Sequence, residues 1–302
     1  EHFTQVELPF WSVYERGGGG ATKRAVESWL DGVAPWSANR KPQDVKRYYE
    51  AGGNGVAMRV LPHVLRLGEK EFPRIATNIF LDGIATHGHP RALLGALAYG
   101  FALWAAFRKD SKLAYGELVE ELIKSVDHWS ALPATPNIPP EWRSQAEKSL
   151  QDYMKLWESA KAEVMEYLEV CRAELSKGAL SLDDDVLKKL QCFNSKISGA
   201  GTVAAIASVY LASRHAADPI NGVVKPAFAI GSDTDTIASM TGGLLGCING
   251  SDWLSPVKQG IQDAAYIEKN AFRLANGHID DKPTHEVVKR SLLKNWIDDV
   301  VI

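Results

Sequence analysis

The stretch ALLGALAYGFALWAAF, residues 92–107, is the most membrane-like in the chain and ends at the charged triplet Arg108-Lys109-Asp110. Its 16 residues fall short of the ~20 apolar residues that a helix needs to span a bilayer. A run that is apolar on every side is typical of a helix at the centre of a globular protein. Pro90 stands in its predicted first turn, where helices tolerate proline. We therefore predict a buried central helix, not a membrane span, and no membrane partner.

Helical periodicity dominates the rest of the sequence, and the alternation that marks strands is nearly absent. Three further segments place apolar residues at helical spacing: GATKRAVESWLDGV (20–33), VAAIASVYLASRH (203–215) and PVKQGIQDAAYIEKNAFRLANG (256–277). Gly32 stands near the end of the first segment and Gly277 closes the last, as glycine often does at the C-terminal end of a helix. The sequence therefore predicts an all-α protein, with the last of these helices beginning near Pro256.

A connector and a long helix interrupt this pattern. Four prolines in SALPATPNIPPEW, residues 130–142, exclude a continuous helix, whereas residues 141–177 contain neither proline nor glycine. Within this second stretch, apolar residues alternate spacings of three and four, as in a coiled-coil seam: Ala146, Leu150, Tyr153, Trp157, Ala160, Val164, Tyr167 and Cys171. Further apolar residues such as Met154 and Leu168 broaden the stripe, which favours a helix that folds back on its own domain. The alternative is a seam that joins a second copy or a partner.

The composition is that of an ordinary globular protein, with 45% hydrophobic and 24% charged residues among 302. Its 34 basic and 37 acidic residues leave a formal net charge of −3, so the chain lacks the basic surface that binds a nucleic-acid backbone. Cys171, Cys192 and Cys247 are an odd number without metal-site spacing, which argues against a disulfide framework and a zinc site. The first residues show no secretory signal pattern, and we expect a reduced, cytoplasmic protein.

The segment GSDTDTIASMTGG, residues 231–243, combines carboxylates and hydroxyls before an apolar run. Such residues satisfy the free N–H groups at a helix start, so capping accounts for one or two of them. Asp233 and Asp235, with Thr236 next, equally offer hard oxygen ligands suited to Mg²⁺ or Mn²⁺. Beyond them, small residues recur every four positions and allow another helix to approach closely: Ala238, Gly242 and Gly246. Spacing alone leaves both capping and metal binding open.

Two earlier stretches combine glycine with polar residues. In AGGNGVAMRV, residues 51–60, glycines flank Asn54 and permit backbone conformations that expose N–H groups to a ligand. We interpret Arg59 as a buried arginine paired with an acid, in preference to a direct substrate contact. His87 and His89 precede the central helix, and on their pattern alone we interpret them as cap and surface residues.

The four glycines of RGGGGATKR, residues 16–24, precede a helix whose N-terminus can approach an anion. Without a preceding strand or a Gly-Lys-Ser/Thr ending, the segment is neither a Walker A motif nor a dinucleotide-binding fingerprint.

Several other acids have charged or terminal surroundings and are interpreted as helix caps and solvated faces: Asp183, Asp184, Asp185, Asp280, Asp281, Asp298 and Asp299.

Taken together, these stretches resemble the ADP-ribosylglycohydrolase family, which includes the dinitrogenase-reductase-activating glycohydrolase and the ADP-ribosylarginine and ADP-ribosylserine hydrolases. The matching pieces follow the family's order along the chain: 16–32, 52–65, 85–104, 198–212 and 229–250. GNGVAMR and GSDTDTIA with its following GGLLG are the specific motifs, and the others corroborate them. The resemblance implies a single domain over residues 1–302, a large orthogonal helix bundle with the connector and long helix inserted at about 130–190.

Matched position by position, the resemblance implies a centre of two Mg²⁺ ions, with Mn²⁺ as an alternative. Part of it would be held by the family's C-terminal ligand set, whose two aspartates would be the catalytic residues: Asp233, Asp235 and Thr236. The resemblance also implies a loop and a histidine that contact ADP-ribose, with a less specific stretch of the cleft wall: Gly53, Asn54, Gly55, His87, Ser198 and Gly199.

The implied reaction is removal of ADP-ribose from a modified protein side chain, most often arginine. In this family, paired metals act at the distal ribose while the glycosidic bond breaks through an oxocarbenium-like state. The partners would be an ADP-ribosylated protein and free ADP-ribose. The alternatives are a protein that binds ADP-ribose or another partner without catalysis, and a hydrolase of a small ADP-ribose conjugate.

One family motif has no counterpart in the sequence. The family's first metal motif, a Thr-Asp-Asp run, lies well upstream of the segment that matches RGGGG. Only 15 residues precede Arg16, and none of them forms such a run. We therefore expect either a natural protein with further N-terminal residues, which the missing initial methionine favours, or a protein without half of the metal site.

Overall fold

In a computed structural model of the chain, the described residues are 2–15, 17–133, 138–277 and 287–293. They form helices joined by loops and contain no β-strand beyond isolated bridges, which confirms the predicted all-α fold. A π-helical segment, Phe3–Glu7, leads directly into the first α-helix. In chain order the helices are α1 (Leu8–Tyr14), α2 (Gly20–Leu30), α3 (Pro42–Tyr49), α4 (Leu61–Leu67), α5 (Phe72–Ile84), α6 (Pro90–Phe107), α7 (Glu117–Lys124), α8 (Val126–Ser130), α9 (Pro140–Leu150), α10 (Tyr153–Leu175), α11 (Asp183–Lys189), α12 (Gly201–Arg214), α13 (Pro219–Ala227), α14 (Thr234–Asn249) and α15 (Ala264–Ala275).

Helix α6 forms the centre of the bundle because it is apolar on nearly every side. It packs against α5, α10, α12 and α14, and Leu94, Leu97 and Phe101 are among its fully buried residues. Within the described residues it is the one helix long and apolar enough to cross a membrane, yet 78% of it is buried inside the protein. The prediction of a buried central helix is confirmed.

Helices α6 and α12 approach each other closely at two glycines. A Cβ atom on Gly95 would overlap the backbone of Gly201, and a Cβ atom on Gly201 would lie 2.6 Å from the carbonyl oxygen of Arg91. Interiors are packed too densely for either helix to yield without loss of neighbouring contacts. Because α12 begins at Gly201, this contact also fixes the position of the loop that precedes it.

The small residues of α14 make a different contact from the predicted one. Gly246 has nothing within 4 Å of the position that a Cβ atom would take, and Gly242 has only an ordinary contact at 3.5 Å. The close approach is at Gly243, where a Cβ atom would lie 2.8 Å from the hydroxyl oxygen of Tyr99. The predicted stripe of Ala238, Gly242 and Gly246 is therefore wrong at Gly246, because α6 crosses the side of α14 that carries Gly243.

The long helix predicted over residues 141–177 is divided into α9 and α10, and the prediction of one continuous helix is wrong. The break falls at Gln151 and Asp152, whose φ angles of 46° and 64° are left-handed. Asp152 then caps α10 by accepting a hydrogen bond at 3.0 Å from a backbone N–H of its first turn. Glu147 accepts another, at 3.0 Å, from the backbone N–H of Tyr153.

The apolar seam of α9 and α10 is buried inside its own chain. Trp142, Tyr153 and Trp157 are each 2% exposed or less, and all three pack near Phe80 or each other, with the Trp142 and Tyr153 ring centroids 5.5 Å apart. This burial confirms the interpretation that the stretch folds back on its own domain. An oligomer or a partner bound through residues 141–177 stays a prediction, and it would have to use the outward sides of the two helices.

The helix predicted from near Pro256 begins later than expected. Lys258–Gly260 forms only a 3₁₀ turn, and α15 starts at Ala264 after Asp263, whose φ of 57° is left-handed. The turn interrupts a periodicity that is continuous in the sequence. The predicted end is confirmed, because Gly277 with φ of 69° follows the last turn of α15.

Asp183 is a buried structural residue and not the solvated cap that its sequence context predicts. Its carboxylate forms an ion pair with Nε of Arg214 at 2.9 Å, accepts a hydrogen bond from the Tyr210 hydroxyl at 3.1 Å, and lies 3.0 Å from Nε2 of His215. Burial acts to raise the pKa of Asp183, but the contacts with His215 and Arg214 outweigh it and lower the pKa. Asp184 and Asp185 are exposed as predicted, and the remaining acids lie outside the described residues: Asp280, Asp281, Asp298 and Asp299.

Candidate functional site

A cleft opens where the loops that precede several helices meet. Its volume is about 780 Å³, which is within the range of pockets that hold small molecules. Its walls include the following residues predicted from the sequence as site residues: Gly53, Asn54, Gly55, His87, Gly199, Asp233, Asp235 and Thr236. The structure therefore brings together residues that are up to 183 positions apart, from Gly53 to Thr236.

Two loops from distant parts of the sequence pair to form one side of the cleft. The backbone N–H of Asn54 donates to the carbonyl of Gly199 at 2.9 Å, and that of Gly201 donates to the carbonyl of Gly52 at 3.0 Å. Ser198 lies beside this pairing, but it is not among the residues that line the cavity. The pairing fixes the position of Asn54 relative to the start of α12.

Asp233 occupies the N-cap position of α14 without acting as a cap. Its side chain makes no capping hydrogen bond, and its Oδ2 atom instead accepts one from Nδ2 of Asn54 at 2.7 Å. An aspartate at this position ordinarily bonds to the N–H groups of the first turn. Of the two interpretations left open for the segment, capping therefore does not account for Asp233.

Asp233 and Asp235 form a carboxylate pair at the start of α14. Burial raises the pKa of Asp233 above its ordinary value, whereas the hydrogen bond with Asp233 lowers the pKa of Asp235. Two carboxylates in a partly desolvated position repel each other when both are ionised. A bound cation would remove that repulsion, and the buried hydroxyl residue Thr236 follows directly in the same turn.

This donor set fits part of the shell of a hard divalent cation. Carboxylate and hydroxyl oxygens are ligands that Mg²⁺ and Mn²⁺ accept, and Mg²⁺ commonly keeps several waters beside one or two carboxylates. The described part of the chain contains no group of three or more His, Cys, Asp or Glu residues that could hold a metal. Cation binding by Asp233 and Asp235 therefore stays a prediction, as does the second ion implied by the resemblance.

His87 is buried beneath the Gly-Asn-Gly loop and is only 3% exposed. A Cβ atom on Gly55 would lie 3.0 Å from its ring, a tight contact that glycine at position 55 avoids. Burial, together with the charges of Arg59 and Arg24, lowers the pKa of His87 to about 3. The ring is therefore neutral near pH 7. The interpretation of His87 as a cap or surface residue is wrong, because the chain packs it into the cleft wall.

His89 is a helix cap, as the sequence predicts. Its Nδ1 atom accepts a hydrogen bond at 3.1 Å from the backbone N–H of Arg91 in the first turn of α6. Burial and the charge of Arg91 lower the pKa of His89 to about 4. Arg91 also bonds to Glu163 of α10 at 2.9 Å, and Glu163 accepts from the Thr202 hydroxyl at 2.5 Å. This network joins three helices behind the cleft.

Arg59 is a partly buried arginine paired with an acid, which confirms its interpretation. Its Nε donates to Oδ2 of Asp82 at 2.8 Å. Its remaining N–H groups donate to the Gly55 carbonyl at 2.7 Å and to the Thr86 hydroxyl oxygen at 2.9 Å. Arg59 thereby connects the Gly-Asn-Gly loop to the residue that precedes His87.

The N-terminal helix forms a wall of the cleft that sequence analysis missed. Phe3, Trp11 and Tyr14 line the cavity together with Met58, and the Phe3 ring lies 5.4 Å from the guanidinium carbon of Arg59. No local pattern distinguishes these aromatic residues from those of any short amphipathic helix. Aromatic faces in such a position can stack on a nucleobase.

The glycine-rich loop and the N-terminal end of α2 also face the cleft, through residues 17–22. The first N–H groups of a helix have no partner within the helix, and with the helix dipole they favour an anion. From the sequence alone, the helix that follows this loop was predicted to be able to approach an anion, but no ligand was identified. The structure places the loop in the same cavity as Asp233 and His87.

The fold is all-α, and a carboxylate pair, a Gly-Asn-Gly loop and a buried histidine surround one cleft. The chain belongs to the ADP-ribosylglycohydrolase family, whose sequence pattern matches residues 2–284. No curated protein matched the chain in a sequence comparison.

Proposed function

We propose that this protein is a metal-dependent hydrolase that removes ADP-ribose from a modified protein side chain, arginine in particular. The bond cleaved would be the glycosidic bond at the distal ribose. The observation that carries the proposal is the orientation of Asp233, which stands at a helix N-cap yet makes no capping hydrogen bond and instead accepts one from Asn54. A capping role does not explain this orientation, and a carboxylate that lines the cavity supports a role in cation binding.

Asp233, Asp235 and Thr236 would hold the cation, Mg²⁺ or Mn²⁺, with water and substrate oxygens completing its shell. When bound, the ion would supply positive charge that orients ribose hydroxyls and water and stabilises the departing group. Desolvation of Asp233 favours an occupied site, because a buried carboxylate requires a compensating charge or donor.

The protein's other cleft residues would hold ADP-ribose in register with this centre. The N–H groups at the start of α2 suit a diphosphate, and the glycines at 53 and 55 let a ligand approach the backbone. Trp11 and Tyr14 offer aromatic faces for the adenine. Asn54 bonds to Asp233 at 2.7 Å and so holds its carboxylate toward the cavity. A neutral His87 supplies no charge of its own.

The proposal is tested with an ADP-ribosylarginine protein and Mg²⁺. The double variant Asp233→Asn with Asp235→Asn should lose release of free ADP-ribose, because amides do not replace anionic ligands. The matched control is Asp184→Asn with Asp185→Asn, which removes the same charge from an exposed pair and should release ADP-ribose within about twofold of the wild type. Unchanged release by the Asp233 and Asp235 variant would place the active site elsewhere.

A second candidate is a protein that binds ADP-ribose without hydrolysing it. The observation in its favour is that the cleft supplies one carboxylate pair, and the described residues form no larger metal-binding group. Calorimetric binding of ADP-ribose, without release from an ADP-ribosylated protein at any Mg²⁺ or Mn²⁺ concentration, would favour this candidate. A panel of arginine, serine and small-molecule conjugates would identify a hydrolase with a different substrate.

A further inference from the structure

Thr86 is a buried hydroxyl between a charged donor and an imidazole ring. It is 1% exposed, and its Oγ1 atom has three polar neighbours. They are NH2 of Arg59 at 2.9 Å, Nδ1 of His87 at 2.7 Å and the carbonyl oxygen of Gly83 at 3.5 Å. Arginine carries donors only. Thr86 Oγ1 must therefore accept a hydrogen bond from Arg59.

The single hydroxyl proton of Thr86 then has two possible acceptors, Nδ1 of His87 and the carbonyl of Gly83. An O–H···O bond normally spans 2.5–3.0 Å, so the Gly83 carbonyl at 3.5 Å is too distant for a normal bond. If His87 carried its proton on Nδ1, it would donate to Thr86 and leave the buried hydroxyl proton without a good acceptor. If His87 carries its proton on Nε2, every short contact of Thr86 is satisfied.

The opposite edge of the ring faces the cleft. Cβ atoms on Gly53 and Gly55 would lie 3.7 Å and 3.4 Å from Nε2 of His87, so this nitrogen lies against the Gly-Asn-Gly loop. His87 lines the cavity, and among the described residues no hydrogen-bond partner is found for Nε2. A polar atom at the edge of an otherwise buried ring is available to a ligand.

We infer that Thr86, held in turn by Arg59 and Asp82, fixes His87 in the tautomer protonated at Nε2, so that the ring donates a hydrogen bond into the cleft. His87 is then a donor to an oxygen acceptor and not a proton-accepting base. Thr86 and Arg59 are positioning residues. That the acceptor is a phosphate or ribose oxygen of ADP-ribose rests on the proposed function, whereas the tautomer does not.

The low pKa of His87 agrees with this arrangement. Burial and the nearby Arg59 and Arg24 keep the second ring proton off down to about pH 3. One ring nitrogen is therefore unprotonated at neutral pH, as the bond donated by Thr86 to Nδ1 requires. Asp82 completes the network through Nε of Arg59 at 2.8 Å and holds the guanidinium beside Thr86.

The test is two-dimensional NMR of protein labelled with ¹⁵N at histidine, correlating each ring nitrogen with the carbon-bound ring protons at pH 7. The chain has eight histidines, so His87→Asn assigns the signal. We expect a protonated Nε2 and an unprotonated Nδ1 for His87 in the wild type and in Thr86→Ser, which keeps the hydroxyl. Thr86→Val should lose this pattern. A protonated Nδ1 in the wild type, or an unchanged pattern in Thr86→Val, would overturn the inference.

The wild-type spectrum decides the tautomer even if Thr86→Val fails to fold. A second readout is calorimetric affinity for ADP-ribose, which should fall about tenfold in Thr86→Val and stay within about twofold in Thr86→Ser, because only the valine removes the hydroxyl. Equal affinities of the two variants would contradict the positioning role. The spectrum needs neither metal nor turnover, so a failure of the proposed function would leave its result standing.

Discussion

Asn54 joins two parts of the cleft through its backbone and its side chain. Its backbone N–H bonds to Gly199 at 2.9 Å, while its side-chain amide bonds to Asp233 at 2.7 Å. That second bond acts to lower the pKa of Asp233, against the effect of burial. Asn54 thus contributes both to the position of its loop and to the pKa of Asp233, a proposed metal ligand.

Replacing Asn54 by alanine should weaken Mn²⁺ binding and ADP-ribose release by about 10- to 100-fold, the range found when groups that orient metal ligands are removed. The reason is that Asp233 loses the donor that holds its carboxylate ionised and oriented. Metal affinity by calorimetry and release by chromatography measure the effect. Asn221→Ala is the matched control, because Asn221 bonds to Asp218 at 2.6 Å on the exposed surface, and it should change neither quantity.

The buried state of His87 predicts a pH dependence of folding. Its pKa falls from 6.5 to about 3 on folding, so below pH 6.5 the unfolded chain binds a proton that the folded chain does not. Above pH 6.5 the buried neutral His87 does not lower the free energy of unfolding. As the pH falls from 6.5 toward 3, protonation of the unfolded chain lowers the free energy of unfolding by about 1.4 kcal/mol per pH unit.

Urea unfolding at pH 6.5, 5.5 and 4.5 measures this slope. His87→Gln should reduce this slope by the amount that corresponds to about one bound proton. The remaining slope would come from other buried groups such as His89, whose pKa is about 4. His128→Gln, at an exposed position, should leave the slope unchanged. Identical slopes for the wild type and His87→Gln would show that His87 is protonated equally in both states.

At the scale of the helices, glycine contacts position the loops that form the cleft. Gly95 of α6 allows the start of α12 to touch it, and the loop before α12 then pairs with the Gly-Asn-Gly loop. The order of the helices along the chain does not show this contact. It depends on which side of α6 meets α12, and the all-apolar α6 sequence carries no preference for one side.

Gly95→Ala should lower the free energy of unfolding by about 1–3 kcal/mol, because the new methyl group would overlap the backbone of Gly201. Urea denaturation measures it, and ADP-ribose affinity should fall as the α12 loop shifts. The control is Gly246→Ala, also within a helix but with open space around it. Alanine there should stabilise by up to about 1 kcal/mol through helix propensity. Equal effects of the two changes would contradict the close-contact account.

Helix breaks were the elements that sequence patterns predicted least well. The periodicity of residues 141–177 continues through Gln151 and Asp152, yet both adopt left-handed φ angles. Neither residue is glycine, and the break lies between Trp142 and Tyr153, whose ring centroids are 5.5 Å apart. A helix break that depends on tertiary packing leaves no pattern in the local sequence. The same holds for Asp183, whose partners Tyr210 and Arg214 lie on another helix.

At the scale of the whole molecule, composition and helical periodicity were sufficient to predict the all-α class and the buried α6. The Asp233 and Asn54 motifs were recognisable because one holds more acids and hydroxyls than capping requires and the other sets several glycines around an asparagine. That the two motifs meet in one cleft could not be predicted from the sequence, because it depends on how α6, α12 and α14 pack. The aromatic wall from Phe3 to Tyr14 and the positioning of His87 by Thr86 likewise exist only in the folded chain.

The central claim is that the cleft around Asp233 uses a divalent cation to release ADP-ribose. The most direct measurement is release of free ADP-ribose from an ADP-ribosylarginine protein by the purified protein, first in excess chelator and then with Mg²⁺ restored. The account predicts no release in chelator and recovery with Mg²⁺ or Mn²⁺. Release that is equal in chelator and in Mg²⁺, or absent under both conditions from a folded protein, would contradict it.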